Sequence, residues 1–131
     1  MILSAAVVHL AKISSAGDIE WENDYPFGDN PAHYVNCEGV YQTADGGFVA
    51  GGRHADRLGW NAQPFLLKVD ATGAVLQSRL YDSADDYCTM GPAADGGFFF
   101  AASRPRRVDG ELILRQADLH VFKTDDDGTP Q

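Results

Sequence analysis

A chain of 131 residues, 44% hydrophobic and 11% aromatic, is long enough for one domain with its own core and too apolar to stay disordered. Its 19 acidic against 10 basic residues leave a net charge of −9, which argues against binding to nucleic acid or to an anionic membrane surface. No apolar run approaches the roughly 20 residues that a spanning helix requires, so no membrane insertion is expected.

Met1 to Val8 is apolar but lacks a basic n-region and a long h-region, so it reads as the approach to a strand and not as a targeting signal. Val7 to Ile13 fits a strand, Ser15-Ala16-Gly17-Asp18 a turn, and Ile19 to Tyr25 a second strand carrying Trp21. Pro26 to Tyr34, rich in Gly, Asp, Asn and Pro, reads as a long irregular connection. A strand around Val40-Tyr41-Gln42-Thr43 follows, then Asp45-Gly46-Gly47, which supplies the φ > 0 positions of a tight hairpin turn. The returning strand is Phe48 to Arg53, and His54 to Pro64 reads as a long loop. Phe65 to Val69, a turn closing at Gly73, and Val75 to Tyr81 come next. Asp82 to Asp86 is a short connection, Met90-Gly91-Pro92-Ala93 a strand, Asp95-Gly96-Gly97 a second hairpin turn, and Phe98 to Ser103 its return. Arg104 to Asp118 reads as another long loop before a strand at His120 to Lys123. No segment shows a 3.6-residue period.

These elements repeat. Phe65-Leu66-Leu67-Lys68-Val69-Asp70-Ala71-Thr72-Gly73 has counterparts at His9 to Gly17 and at His120 to Gly128. Ala44-Asp45-Gly46-Gly47-Phe48 returns as Ala94-Asp95-Gly96-Gly97-Phe98, and Tyr25 matches Tyr81. The units run from about 9 to 64, from 65 to 118, and from 119 to an incomplete end at 131 within one domain. Four short antiparallel strands per unit of about 50 residues is the signature of a propeller blade. Pro92, which cannot donate to a ladder, places the strand before Asp-Gly-Gly at a sheet edge. The pair Gly51-Gly52, matched by Ala101-Ala102, is small enough to let neighbouring sheets approach.

At these residues the chain resembles the bacterial β-propeller repeats described as kelch-like or quinoprotein-like. Their pattern is Asp-Gly-Gly-aromatic, a strand ending in small residues, a variable loop, Leu-x-Lys-x-Asp-x-x-Gly, and often a Trp four residues on. Trp21 after Gly17 fits that pattern, and Gln77 after Gly73 departs from it. The resemblance implies an all-β fold of antiparallel four-stranded blades, here one complete blade flanked by two half blades. It also implies a non-catalytic binding or scaffold module with a protein or glycan ligand and an extracytoplasmic location. The alternative is part of a propeller enzyme, quinoprotein-type or glycan-active, whose active site lies mostly in other blades. Closed propellers have about four to eight blades, so the chain is expected to be a piece of a larger propeller, or else to close by self-association.

Cys37 and Cys88 stand eight and seven residues before their Asp-Gly-Gly aspartates (45 − 37 = 8; 95 − 88 = 7). Strand alternation then puts them on opposite faces, which predicts two buried free thiols and no disulfide.

No cofactor and no metal are expected. Asp125-Asp126-Asp127-Gly128 resembles the start of a calcium loop, but the matching Asp70 to Gly73 and Ser14 to Gly17 hold one acid and none, so a turn is the better reading. His9 and His120 occupy the position of Phe65, which marks it as a packing position. His33 and His54 fall in loops where they reach a ligand, with no nucleophile paired to them. A glycosidase needs two facing acids, and in a propeller those come from different blades. Arg104, Arg106 and Arg107 form the only basic cluster, either an anion site or a solvated loop. Trp60, in a long polar loop, has the character of a contact anchor. Because connections in an antiparallel sheet alternate between its ends, these variable loops share the end opposite the tight turns, and that is the expected binding face.

Overall fold

Short runs that alternate apolar and polar residues and close on glycine bury themselves most readily as strands of sheets. A computed structural model describes residues 6–27, 33–55, 62–82 and 87–131, with backbone alone at 87, 105, 107 and 112–115. Its elements are β1 (Val7–Ile13), β2 (Ile19–Pro26), β3 (Tyr34–Gln42), β4 (Phe48–Ala55), β5 (Gln63–Val69), β6 (Val75–Leu80), β7 (Tyr87–Pro92), β8 (Phe98–Val108) and β9 (Glu111–Thr124). There is no helix among the described residues. Every strand pairs antiparallel with its sequence neighbour, giving a two-stranded sheet β1-β2, a four-stranded sheet β3-β4-β5-β6 and a three-stranded sheet β7-β8-β9. Pro92 does sit on an edge strand, β7. After β9, Pro130 pairs with Thr124 in the register that Val75 takes opposite Val69.

The turns repeat down to their hydrogen bonds. The amides of Ser14, Asp70 and Asp125 donate to the carbonyls of Asp18, Ala74 and Thr129, and those of Gly17, Gly73 and Gly128 donate back to Ser14, Asp70 and Asp125. Asp70 Oδ1 accepts from the amides of Thr72 (2.8 Å) and Ala74 (3.0 Å), and Asp125 Oδ1 from those of Asp127 (3.0 Å) and Thr129 (2.8 Å). Ser14 Oγ does the same for Ala16 and Asp18. The acidic run therefore serves the turn, as its sequence counterparts suggest. In the other hairpins Gly46 and Gly96 adopt φ of 84° and 94°.

Two apolar cores lie between the sheets. The first joins Val8, Leu10, Tyr25 and Phe27 of the β1-β2 layer to Ala50, Phe65, Leu67 and Val69 of the four-stranded sheet. The second joins Val49, Leu66 and Tyr81 to Cys88, Met90, Phe98, Phe100 and Ala102 of the three-stranded sheet. Leu66 and Leu67 are neighbours in β5 that point to opposite faces, so the middle sheet is apolar on both sides.

The outermost strand of one sheet grips the turn of the next. Tyr25 Oη donates to the Gly73 carbonyl (2.6 Å), and Trp21 Nε1 to that of Ala71 (3.0 Å). In the next copy Tyr81 Oη donates to Gly128 (2.8 Å), Arg79 Nη1 to the same carbonyl (3.0 Å), and Lys68 Nζ to Asp126 (3.0 Å). Gly51 allows the close approach expected of it, since a Cβ there would meet Met90 Sδ at 1.9 Å. Gly52 instead serves its own sheet, where a Cβ would meet the Asn36 carbonyl at 2.0 Å.

Several expectations are corrected. Arg104 to Asp118 is no loop: β8 runs to Val108 and β9 begins at Glu111, with Asp109 (φ 51°) and Gly110 (φ 84°) making the two-residue turn between them. Asp-Gly in that position is a hairpin signal in its own right. His54 to Pro64 shrinks as well, because His54 lies in β4 and Pro64 in β5, opposite Arg53. The connection before β3 ends earlier than Tyr34, which already belongs to the strand. The two cysteines are not on opposite faces by parity. A bulge between Cys37 and Gly39 absorbs the extra residue, so Cys37 faces Gly52 as Cys88 faces the matching Ala102. Neither is in a disulfide, but Cys37 is exposed and only Cys88 is buried.

Two outcomes follow from this architecture. Gly46→Val and Gly96→Val are each expected to lose about 1–3 kcal/mol in urea denaturation, since a β-branched residue is strained at φ > 0. Tyr81→Phe is expected to lose about 0.5–1.5 kcal/mol by removing one of the two hydrogen bonds to the buried Gly128 carbonyl, which keeps Arg79. Burial pushes the Tyr81 phenol up to about 12 from 10.0, opposed by Arg79 and helped by Asp125. The folded form holds its proton longer, so stability is intact below pH 10 and falls as pH rises from 10 toward 12. The phenylalanine variant should show a shallower alkaline loss.

Candidate functional site

The ends of β3 and β4 away from the tight turns hold His33, Tyr34, Arg53 and His54, and β8 carries its arginines toward the corresponding end of the three-stranded sheet. β3-β4 and β5-β6 turn at one end, and an antiparallel sheet sends its other connections to the far end. His54 occupies β4 between Val35 of β3 and Gln63 of β5, and only 6% of it is exposed. The His33 ring packs edge-on against it, with centroids 4.9 Å apart and planes at 81°. Neither ring nitrogen of His54 finds a hydrogen bond of normal geometry. Burial lowers its pKa below 6.5, the nearby His33 lowers it further, and the Phe27 backbone opposes both. The two histidines expected in separate loops are thus brought together, with His54 in the sheet.

Beside them Arg53 lies over the Tyr34 ring (5.4 Å) and donates to its hydroxyl (2.9 Å). Arg104 Nη2 lies 2.9 Å from His120 Nδ1, and the His120 ring tilts against Phe122 at 5.4 Å. Arg106 is exposed on β8, and Arg107 pairs with Leu112 beyond a bulge. The arginine cluster is therefore strung along a hairpin arm. Trp60 lies outside the described residues. Arg53 and Tyr34 carry no motif, so sequence reasoning passed over them. Their signal is the register that pairs Tyr34 with Ala55 and Asn36 with Arg53, placing both at one end.

The packing expectation for the strand histidines is corrected for His9. It is exposed and bridged to Asp24 (2.7 Å) and Glu22 (3.7 Å), because among the described residues no sheet covers the face where Phe65 is buried in the middle copy. His120, half-buried against Phe122, keeps part of that role.

The tight-turn end carries a cleft of about 370 Å³ between the second and third sheets, lined by Tyr41, Thr43, Asp45, Lys68, Gly96 and Phe98. Its polar groups are already engaged. The Thr43 hydroxyl lowers the Asp45 pKa first, then the Gly47 amide, and Lys68 is bonded to the Asp126 carbonyl.

Because His54 titrates lower when folded, stability is full above pH 6.5 and falls as pH drops through its depressed pKa. A urea midpoint falling between pH 7 and pH 5, and falling less in His54→Gln, is the expected result. No family model matches the chain, and no curated protein or solved structure is significantly similar to it.

Proposed function

We propose that the chain is a non-catalytic binding or scaffold module, a segment of a β-propeller. The observation that carries this reading is the repeated grip between sheets, Tyr25 on Gly73 and Tyr81 on Gly128. A contact that recurs in the same atoms from sheet to sheet stacks them by a constant operation, and blades of a propeller are related in that way. The four-strand order of the middle sheet, with its first strand at one edge and its last in contact with the next turn, agrees with a blade.

The binding face in this reading is the end holding His33, His54, Arg104, Arg106 and Arg107, and Trp60, which the sequence places between β4 and β5, is expected to contribute to it. Support comes from its chemistry: an arginine arm and a tyrosine under Arg53 suit a protein or glycan partner. The tight turns at the other end are consumed by their own hydrogen bonds. The resemblance implies an extracytoplasmic location for such a module.

Screening the chain on a glycan array and against peptide libraries tests this. Alanine at Trp60, Arg104 or Arg106 is expected to weaken any hit about tenfold or more while leaving the melting temperature unchanged. A binding footprint on Asp45–Gly47 and Asp70–Gly73 would overturn the assignment of the face.

A further inference from the structure

Among the described residues the middle sheet is covered on both faces, and each outer sheet on one. Phe65, Leu67 and Val69 of β5 are fully buried beneath the β1-β2 sheet, while Val49 and Leu66 are fully buried against the three-stranded sheet and Pro64, on the same face of β5 as Leu66, is fully buried too. In the three-stranded sheet the register equivalents of Val49, Pro64 and Leu66 are Phe99, Leu119 and Val121, which are 41%, 78% and 58% exposed. In the β1-β2 sheet the equivalents of Phe65, Leu67 and Val69 are His9, Ala11 and Ile13, all exposed, with Ile13 at 60%. The turns tell the same story. A Cβ at Gly73 would meet Asn23 and Trp21, and one at Gly128 would meet Tyr81 and Leu66, but Gly17 has nothing within 4 Å.

We propose that these two open faces bind each other between copies of the chain. The three-stranded sheet of one copy stacks on the β1-β2 sheet of the next, as the middle sheet stacks on its neighbours. Phe99, Leu119 and Val121 cover Ala11 and Ile13. The Ser14–Asp18 turn takes the place that Asp70–Ala74 holds in the internal contact, and His9 with Glu22 and Asp24 forms a polar rim. The internal interface supplies the template, since positions open at the ends are the same register positions closed in the middle. Because two different faces meet, the contact is heterologous and propagates into a ring or an open string. This rests on the propeller-segment reading.

Sedimentation velocity over a wide concentration range tests it. The chain is expected to associate as concentration rises. Val121→Asp, which spoils one face, and Ile13→Asp, which spoils the other, should each be monomeric with unchanged melting, as both positions are exposed. An equimolar mixture of the two variants should give a one-to-one dimer and nothing larger, since each retains the face that the other lacks. A wild-type chain that stays monomeric throughout overturns the proposal, as does a mixture that forms no dimer or variants that still associate alone. If the wild type is monomeric while Tyr81→Phe loses stability, a second copy is the wrong occupant and the stacking of sheets stands. If Tyr81→Phe also has no effect, the propeller reading fails with it.

Discussion

A buried tyrosine hydroxyl set against a glycine carbonyl of the adjacent sheet fixes the arrangement of this molecule. Thin sheets with two apolar faces gain stability from any lateral sliding position that keeps those faces covered, because burial has no direction. Hydrogen bonds from Tyr25 to Gly73 and from Tyr81 to Gly128 supply the missing direction. Each carbonyl is buried, so a shift of the sheets by a few ångströms would leave a desolvated acceptor without a partner. Apolar burial supplies the bulk of the energy, at roughly 1.5–3 kcal/mol for each large core side chain, and the tyrosines choose the register at which it is gained.

That contact depends in turn on the rigidity of the Asp-x-x-Gly turn. The Asp70 carboxylate holds the Thr72 and Ala74 amides and the Thr72 hydroxyl, and those bonds draw its pKa down, the hydroxyl first. With the amides turned inward, the carbonyls of residues 71 and 73 point outward to the next sheet. Ser14 builds the same turn without a charge, so the geometry and not the charge is what repeats. An acidic run placed there, as at Asp125 to Asp127, adds charge to the surface while only its first member supports the turn.

The two ends of the sheets have consequently divided their roles. At the tight-turn end the same backbone hydrogen bonds recur in each copy, closed by a glycine at the same position. At the far end Phe65 in one copy becomes His120 in the next, and His54 becomes Arg104, so a packed position in one interface is a polar, accessible one in the other. The scaffold tolerates this because the clamps that hold the sheets together lie at the other end.

Much of the strand order was legible in the sequence, since glycine turns and short alternating runs are local signals. Val7–Ile13 as a strand, the positive φ of Gly46 and Gly96, and the edge position of Pro92 needed no knowledge of the neighbours. Matching Tyr25 to Tyr81 was visible too, but not what each touches, because the partner carbonyl lies 48 and 47 residues away and carries no side-chain signature. Three features were decided by tertiary structure alone. A bulge at Glu38 reset the parity of Cys37, a two-residue Asp109-Gly110 turn converted a polar stretch into a hairpin arm, and pairing with Val35 and Gln63 drew His54 from an expected loop into a buried strand beside His33. Periodicity reports which residues can share a face. Which face is covered depends on what stacks upon it, and for His9 and Phe65, identical in register, that made one exposed and the other buried.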